Sequence, residues 1–341
     1  MHLRKSPYFQ FFCEIEGIRL VFFSISYSLN LGYSQLDQRI LYKALTQPKE
    51  RSHYLHAMIT TKLIECPRDA MQGLHEFIAT DAKARYINQL LKVGYDVIDF
   101  GSFVSPKAIP QMRDTAEVLS KLDLENTNTE LLTIVANLRG AVDAACHSEI
   151  DYLGYPFSIS ETFQIRNTNS TIAESLERVK RIQEVCVGND KKLVIYISMG
   201  FGNPYGDQWN VEIVQQWVDH LSALDIKVMA LSDTIGVATP ESIEYLFGNL
   251  IPPYPDVEFG AHLHTQPHNW YGRIDAAYKS GCRRFDSAIK GFGGCPMAKD
   301  DLTGNMATEN LISYFDKKEL LLGIDKEAFT ESMRIALEIF P

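Results

Sequence analysis

His262-Leu263-His264 places two imidazoles two residues apart. On a strand, positions i and i+2 project to the same face, as two ligands of one ion must. About thirty residues on comes Gly291-Phe292-Gly293-Gly294-Cys295-Pro296, and then Gly304-Asn305. The glycines give that loop conformational freedom and favour exposure of Cys295, a poor place for core packing. A thiol there is a candidate proton donor, with a reactivity set by its pKa. A metal site facing a mobile loop that carries one thiol is therefore the first expectation. Asp69 would supply a carboxylate oxygen from across the fold and Asn305 an amide oxygen. Such an N/O donor set without cysteine favours Mg2+ or Mn2+ over Zn2+.

Other polar residues admit a chemical and a plainer reading. Arg68 beside Asp69 is a candidate stabiliser of an oxyanion next to the metal, because guanidinium is always charged. As a surface ion pair it would be worth little. Asp99 ends an apolar strand, where an unpaired carboxylate is costly, so a partner or ligand is expected. Asp233, in Leu231-Ser232-Asp233-Thr234-Ile235-Gly236, reads either as a loop cap or as a group orienting a histidine. His220, His268 and the remaining cysteines read as structural.

The elements that must position these groups are legible in outline. The chain has 341 residues, 45% hydrophobic and 22% charged, enough for a large core. A net charge of -10 excludes a general nucleic-acid binder. Six cysteines without a C-x-x-C pair suit a reduced, cytoplasmic protein rather than a disulfide scaffold. Residues 1–57 differ from the rest, with seven Lys/Arg against four Asp/Glu. Their apolar run, Ile18 to Leu29, is too short to span a bilayer and follows Glu14 and Glu16, so neither membrane nor targeting function is expected. Met58 stands just before the first clear strand. Residues 1–57 are thus expected to be a peripheral extension or a stretch upstream of the true start, and 58–341 the main domain.

From Met58, eight β-rich runs alternate with eight amphipathic helical patterns. Thr61 to Glu65 leads to a helix over Thr80 to Lys92, and Val97 to Phe100 to one near Gln111 to Leu122. Leu131 to Val135 precedes Leu138 to Ala145. Ile150 to Leu153 precedes a helix opening with the capping box Thr171-x-x-Glu174. Leu193 to Ser198 precedes Val211 to Ala223. Lys227 to Leu231 precedes a helix capped by Thr239 with Pro240 at its first position. Val257 to His262 precedes Tyr271 to Lys279, and Arg284 to Ser287 precedes Thr308 to Phe315. This is the pattern of an α/β chain folded as a (β/α)8 TIM barrel. A doubly wound open sheet is the alternative, but no G-x-G-x-x-G turn follows the first strand. In a barrel, chemistry belongs at the C-terminal strand ends, where Arg68, Asp69, Asp99, Ser102, Asp233, His262, His264 and Cys295 all fall.

Several runs resemble one family. Ile64-Glu65-Cys66-Pro67-Arg68-Asp69-Ala70-Met71-Gln72 is similar to the first-strand motif of 3-hydroxy-3-methylglutaryl-CoA lyases, and Ser102-Phe103-Val104-Ser105-Pro106-Lys107 to their second-strand signature. Ser160-Glu161-Thr162-Phe163, Asp233-Thr234-Ile235-Gly236, Gly293-Gly294-Cys295-Pro296 and Gly304-Asn305 continue the match in order. The resemblance implies a metal-dependent lyase of the DRE-TIM metallolyase group that cleaves this acyl-CoA thioester to acetyl-CoA and acetoacetate. It also implies that Asp69, His262, His264 and Asn305 hold Mg2+ or Mn2+. Arg68 matches the catalytic arginine, Cys295 the loop thiol, and Asp233 and Asp99 acids of the site. Arg68, Gln72 and Ser102 are the expected substrate contacts. A homo-oligomer, as a dimer, is the expected assembly.

The residues depart from that family in three places. Asp99 stands where the family has glutamate, one methylene shorter, so its contact to a partner is expected to need a water. Thr265-Gln266-Pro267-His268 replaces Asp-Thr-Tyr-Gly, and Cys66 replaces glycine. These bear on the acyl group accepted more than on the reaction type. The competing readings are a Claisen-type synthase joining acetyl-CoA to a 2-oxo acid, and a non-catalytic binding homologue.

Overall fold

The computed structural model describes residues 10–15, 18–23, 61–294, 304–318, 320 and 323–340. The chain divides into two compact units, Met1–Ile59 and Thr60–Pro341. In the first, β1 (Gln10–Ile15) pairs antiparallel with β2 (Ile18–Phe23).

The second unit is a closed barrel of eight parallel strands: β3 (Lys62–Glu65), β4 (Val97–Ser102), β5 (Glu130–Ile134), β6 (Tyr152–Ser158), β7 (Lys192–Ser198), β8 (Val228–Ser232), β9 (Glu258–His262) and β11 (Arg284–Ser287). The short strands β10 (His264–Thr265) and β12 (Gly304–Asn305) form a separate antiparallel pair. The barrel closes where β11 pairs with β3, Ser287 opposite Glu65. This is the (β/α)8 architecture expected from the eight alternations.

Strands buried on both faces read as apolar runs, as Leu193 to Ser198 does. The inward rows of Ile64, Cys66, Val97, Leu132, Ile134, Tyr152, Val194, Tyr196, Val228 and Ala230 fill the barrel. Gly154 on β6 is needed there, since a Cβ would lie 2.6 Å from Ile134 Cδ1 and 3.0 Å from Tyr196 Cε2. The helices start where their caps predict. Thr171 and Glu174 form the capping box of the helix Ile172–Gly188, and Thr239 caps Pro240–Leu250.

Three local expectations are corrected. The helix expected near Gln111 to Leu122 is split into a 3-10 turn, Pro110–Met112, and a helix, Thr115–Leu119. Thr115 turns its hydroxyl onto the carbonyls of Ser102 and Met112, at 3.0 and 2.8 Å, and so ties the break to the end of β4. The fourth strand is displaced towards the C-terminus, to Tyr152–Ser158, because its pairing runs with β7 from Tyr152↔Lys192 to Ser158↔Ser198. His264 does not continue β9 but starts β10.

Candidate active site

Immediately after β3 the chain enters a short helix, Pro67–Gln72, with proline at its first position. It sits at the C-terminal mouth of the barrel and presents Arg68, Asp69 and Gln72. Arg68 is buried and donates Nε to both oxygens of Asp99 at 3.2 and 3.0 Å. Its Nη2 also binds Asp99, while Nη1 reaches Asp69 Oδ1 at 2.9 Å and Gln72 Oε1 at 2.8 Å. The pair anticipated as a possible surface bridge is thus a buried network. The shorter Asp99 side chain reaches its partner directly, so the expected water is not needed for this contact. Burial pushes the Asp99 carboxyl up to about 6, with Arg68 offsetting only part of that effect. Burial also pushes Asp69 up, but Arg68, then His262 and the bond from Asn305, outweigh it and hold Asp69 below its usual range.

Across the mouth, one ligand atom from each of Asp69, His262 and His264 lies within 4.8 Å of the others. His264 starts β10, opposite Asn305 on β12. Asn305 Nδ2 lies 2.7 Å from Asp69 Oδ2 and 2.9 Å from the Phe292 carbonyl. Burial, followed by the neighbouring His262, lowers His264 to about 4, which keeps it neutral and able to ligate at physiological pH. Gly293 has a positive φ of 89°, and a Cβ there would meet Asp69 O at 2.7 Å.

A second trio, Cys66, His262 and Asp286, also lies within 4.8 Å. His262 Nδ1 is already 3.1 Å from Asp286 Oδ2. Burial, then the charges of Asp286 and Asp99, raise the Cys66 thiol well above its ordinary value, which opposes the thiolate a metal would need. The donor chemistry therefore fits a cation at Asp69, His262 and His264, where a depressed carboxylate meets two imidazoles.

Gln72 lines the same pocket as Arg68, Asp69, His262 and His264. Ser102 is buried and spends its hydroxyl on backbone, donating to Ile134 O at 3.2 Å and accepting from Val104 N at 3.2 Å. Asp233 caps its loop, accepting from Val237 N at 2.8 Å and Ala238 N at 3.1 Å, and pairs with Arg273 Nη1 at 3.0 Å. Arg273 also donates to the His264 carbonyl, so Asp233 is linked to the strand that carries His264. Cys295 lies outside the described residues. Sequence reasoning missed Asp286, Arg273 and Tyr196, whose ring meets that of His262 edge-on at 5.7 Å. Alternation along Arg284-Phe285-Asp286 was the available signal, because a charge inside a closed barrel must have a partner.

The remaining pocket wall is mixed, with Val104, Ile109, Ile134, Pro156 and Phe163 on its apolar part and Asn167, Thr168, Ser198, Ser232 and Thr234 on its polar part. A family model described as HMGL-like matches residues 62–335. The chain belongs to the HMGL-like family.

Other members of the HMGL-like family and related structures agree with that assignment. The chain is 31% identical over 311 residues to the cytoplasmic 3-hydroxy-3-methylglutaryl-CoA lyase of Rattus norvegicus, covering 89% of each chain. It is 31% identical to the 3-hydroxy-3-isohexenylglutaryl-CoA/hydroxy-methylglutaryl-CoA lyase of Pseudomonas aeruginosa, covering 80% of this chain and 90% of that one. A solved HMG-CoA lyase from Acinetobacter baumannii, in complex with coenzyme A and 3-methylmalate, superposes with a TM-score of 0.76 at 30% identity. That match covers 82% of this chain and 91% of the other.

Proposed function

We propose that the protein is a divalent-metal-dependent carbon–carbon lyase that cleaves 3-hydroxy-3-methylglutaryl-CoA to acetyl-CoA and acetoacetate. The observation that carries this reading is the convergence of Arg68 with Asp69, His262 and His264 on one pocket. Asp69, His262, His264 and Asn305 would hold Mg2+ or Mn2+. A cation held there would supply Lewis acidity that makes the C3 hydroxyl of the substrate more acidic.

The reaction breaks the C2–C3 bond. The hydroxyl proton passes to water, C3 becomes a ketone, and the bonding pair moves through C2 onto the thioester oxygen as an enolate. Arg68 stabilises that oxygen, with Asp99 and Gln72 holding its guanidinium in place. A proton then returns to C2, with Cys295 as the proposed donor. Asp233 acts as a positioning group through Arg273, and Ser102 holds the backbone of Ile134 and Val104, two residues of the pocket wall.

Incubating the full chain with the thioester and Mg2+ or Mn2+ should release acetoacetate and acetyl-CoA. Full activity in Asp69→Ala or His262→Ala would refute the metal assignment. The apolar part of the wall, Val104, Ile109, Ile134, Pro156 and Phe163, supports a second reading, cleavage of analogues with a longer 3-alkyl group. Parallel assays with such esters decide between the two substrates. Free CoA formed from acetyl-CoA and a 2-oxo acid would point instead to a Claisen-type synthase. Among the described residues no helix is long and apolar enough to cross a membrane. A cytoplasmic homodimer is the proposed assembly.

A further inference from the structure

We infer that Asp286 is a positioning residue for His262, and that a file of alternating charges inside the barrel holds Asp286 to that task. The inference rests on the reading that His262 is a metal ligand.

Asp286 stands directly opposite His262 in the parallel pairing of β11 with β9, and its carboxylate has no solvent exposure. One oxygen lies 3.1 Å from His262 Nδ1, placed to accept from an Nδ1–H. The other oxygen has no hydrogen-bond partner among the described residues. With Nδ1–H given to Asp286, the Nε2 lone pair is left for the cation. The edge-on Tyr196 ring limits rotation of the imidazole from another side. Metal-bound histidines commonly depend on such an outer carboxylate for tautomer and orientation.

A buried aspartate needs a countercharge, and the sequence supplies one two residues earlier on the same inward face. Arg284 is completely buried, and Asp286 is its foremost electrostatic partner. Arg284 Nη1 in turn lies 3.1 Å from Glu258 Oε1, and Glu258 Oε2 lies 2.5 Å from Lys62 Nζ. The file therefore runs plus, minus, plus, minus from the solvent-facing Lys62 to the imidazole. Gly260, opposite Arg284, makes room for it, since a Cβ there would sit 3.0 Å from Arg284 Cδ. Nε and Nη2 of Arg284 have no acceptor among the described residues. Those donors and the free oxygen of Asp286 form a set that bridging water satisfies. None of these groups is needed to close the barrel, and apolar side chains would fill the interior at less cost. Their common feature is that they end at His262.

Two measurements on the full chain test this. Nitrogen-15 spectra of the histidine-labelled, metal-free protein at about pH 8.5, where imidazole is largely neutral, should show His262 as the Nδ1–H tautomer. The resonance is assigned with His262→Gln. Calorimetry with Mn2+ alone should show Asp286→Asn binding about 10- to 100-fold more weakly than wild type. Arg284→Gln should bind more weakly by a smaller factor, and Glu258→Gln by less again. A purely structural aspartate would lower the melting temperature of the metal-free protein and leave the Mn2+ affinity within twofold, which overturns the inference. An Nε2–H tautomer in the wild type overturns it too, even if Asp286→Asn does not fold. Failure of the wild type to bind Mn2+ would instead sink the metal reading, while the tautomer still reports on Asp286.

Discussion

Asn305 Nδ2 lies 2.7 Å from Asp69 Oδ2, joining residues separated by 236 positions in the chain. The same amide holds the Phe292 carbonyl, and the Asn305 backbone pairs with His264. Asn305 therefore ties the helix after the first barrel strand, the short strand after the seventh and the stem of the last loop, the first and last through its side chain.

Asn305→Ala should remove that tie. The expected outcome is loss of about 1–2 kcal/mol of stability, from an amide bonded to a charged group. Mn2+ binding should weaken together with turnover. Calorimetry and acetoacetate release report the two effects separately, and unchanged Mn2+ affinity would remove Asn305 from the proposed ligands.

Arg68 serves two carboxylates through a fork that lysine cannot reproduce. Arg68→Lys is predicted to lower kcat by about 100-fold or more, the scale of losing a donor to a developing oxyanion. Arg68→Met should also destabilise the fold by about 3–5 kcal/mol, because Asp99 is left buried without its partner. Adding Asp99→Leu should restore stability but not activity. Denaturant unfolding of the three variants checks this, and recovery of turnover in the double variant would contradict the assigned role of Arg68.

Metal binding should depend on pH through His262. Burial lowers the affinity of its ring for a proton, but the bond to Asp286 and the charges of Asp286 and Asp69 outweigh it, so the pKa is raised above 6.5. A ligating imidazole must be neutral, so protons compete with the cation. Mn2+ affinity should therefore fall as pH drops through the His262 pKa, by up to about tenfold per pH unit for one competing proton. His264, already neutral down to about 4, should not add to that fall until lower pH. A flat affinity between neutral pH and about pH 5 would contradict this prediction.

Glu65 is fully buried between β3 and the helix Thr308–Lys317, accepting from Ile289 N at 2.9 Å and Thr308 Oγ1 at 2.6 Å. Burial raises its carboxyl to about 8, with those two bonds lowering it and Glu309 adding to the rise. The folded state thus keeps a proton that the unfolded state releases from about 4.5 upward. This contribution to stability is present below 4.5 and lost as pH rises through about 8, with a slope of up to about 1.4 kcal/mol per pH unit. Urea unfolding across that range should give a shallower pH dependence for Glu65→Gln. Parallel curves for the two proteins would refute the effect.

What could be read from the sequence followed from periodicity and caps. The eight alternations and the Thr171 and Thr239 caps were visible because helix starts and buried strands leave local marks. Asp69, His262 and His264 converge because a closed barrel brings strand ends together, so fold and site followed from one pattern. What escaped depends on contacts distant in sequence. The Arg68–Asp99 pairing spans 31 positions and the Asp233–Arg273 pairing 40, and neither leaves a spacing to read. The helix Glu161–Thr168 was hidden by its weak amphipathic pattern, and its cap, Ser160, also accepts a place in the loop by bonding Asp207 at 2.5 Å. The final helix, Lys326–Ile339, lies beyond the eight pairs and packs Phe340 against Tyr86 at 5.9 Å.

The pairing of β11 with β3 is the seam at which the sheet closes on itself. Asp69 follows β3 on one side of that seam, and on the other side His262 ends β9, the neighbour of β11, with His264 starting β10 just after it. A cation held by all three would be a rivet across the join. It would bind only the closed cylinder, so raising its concentration should tighten the barrel by mass action and delay its first opening. The ion proposed to activate substrate would then also report that the fold has closed.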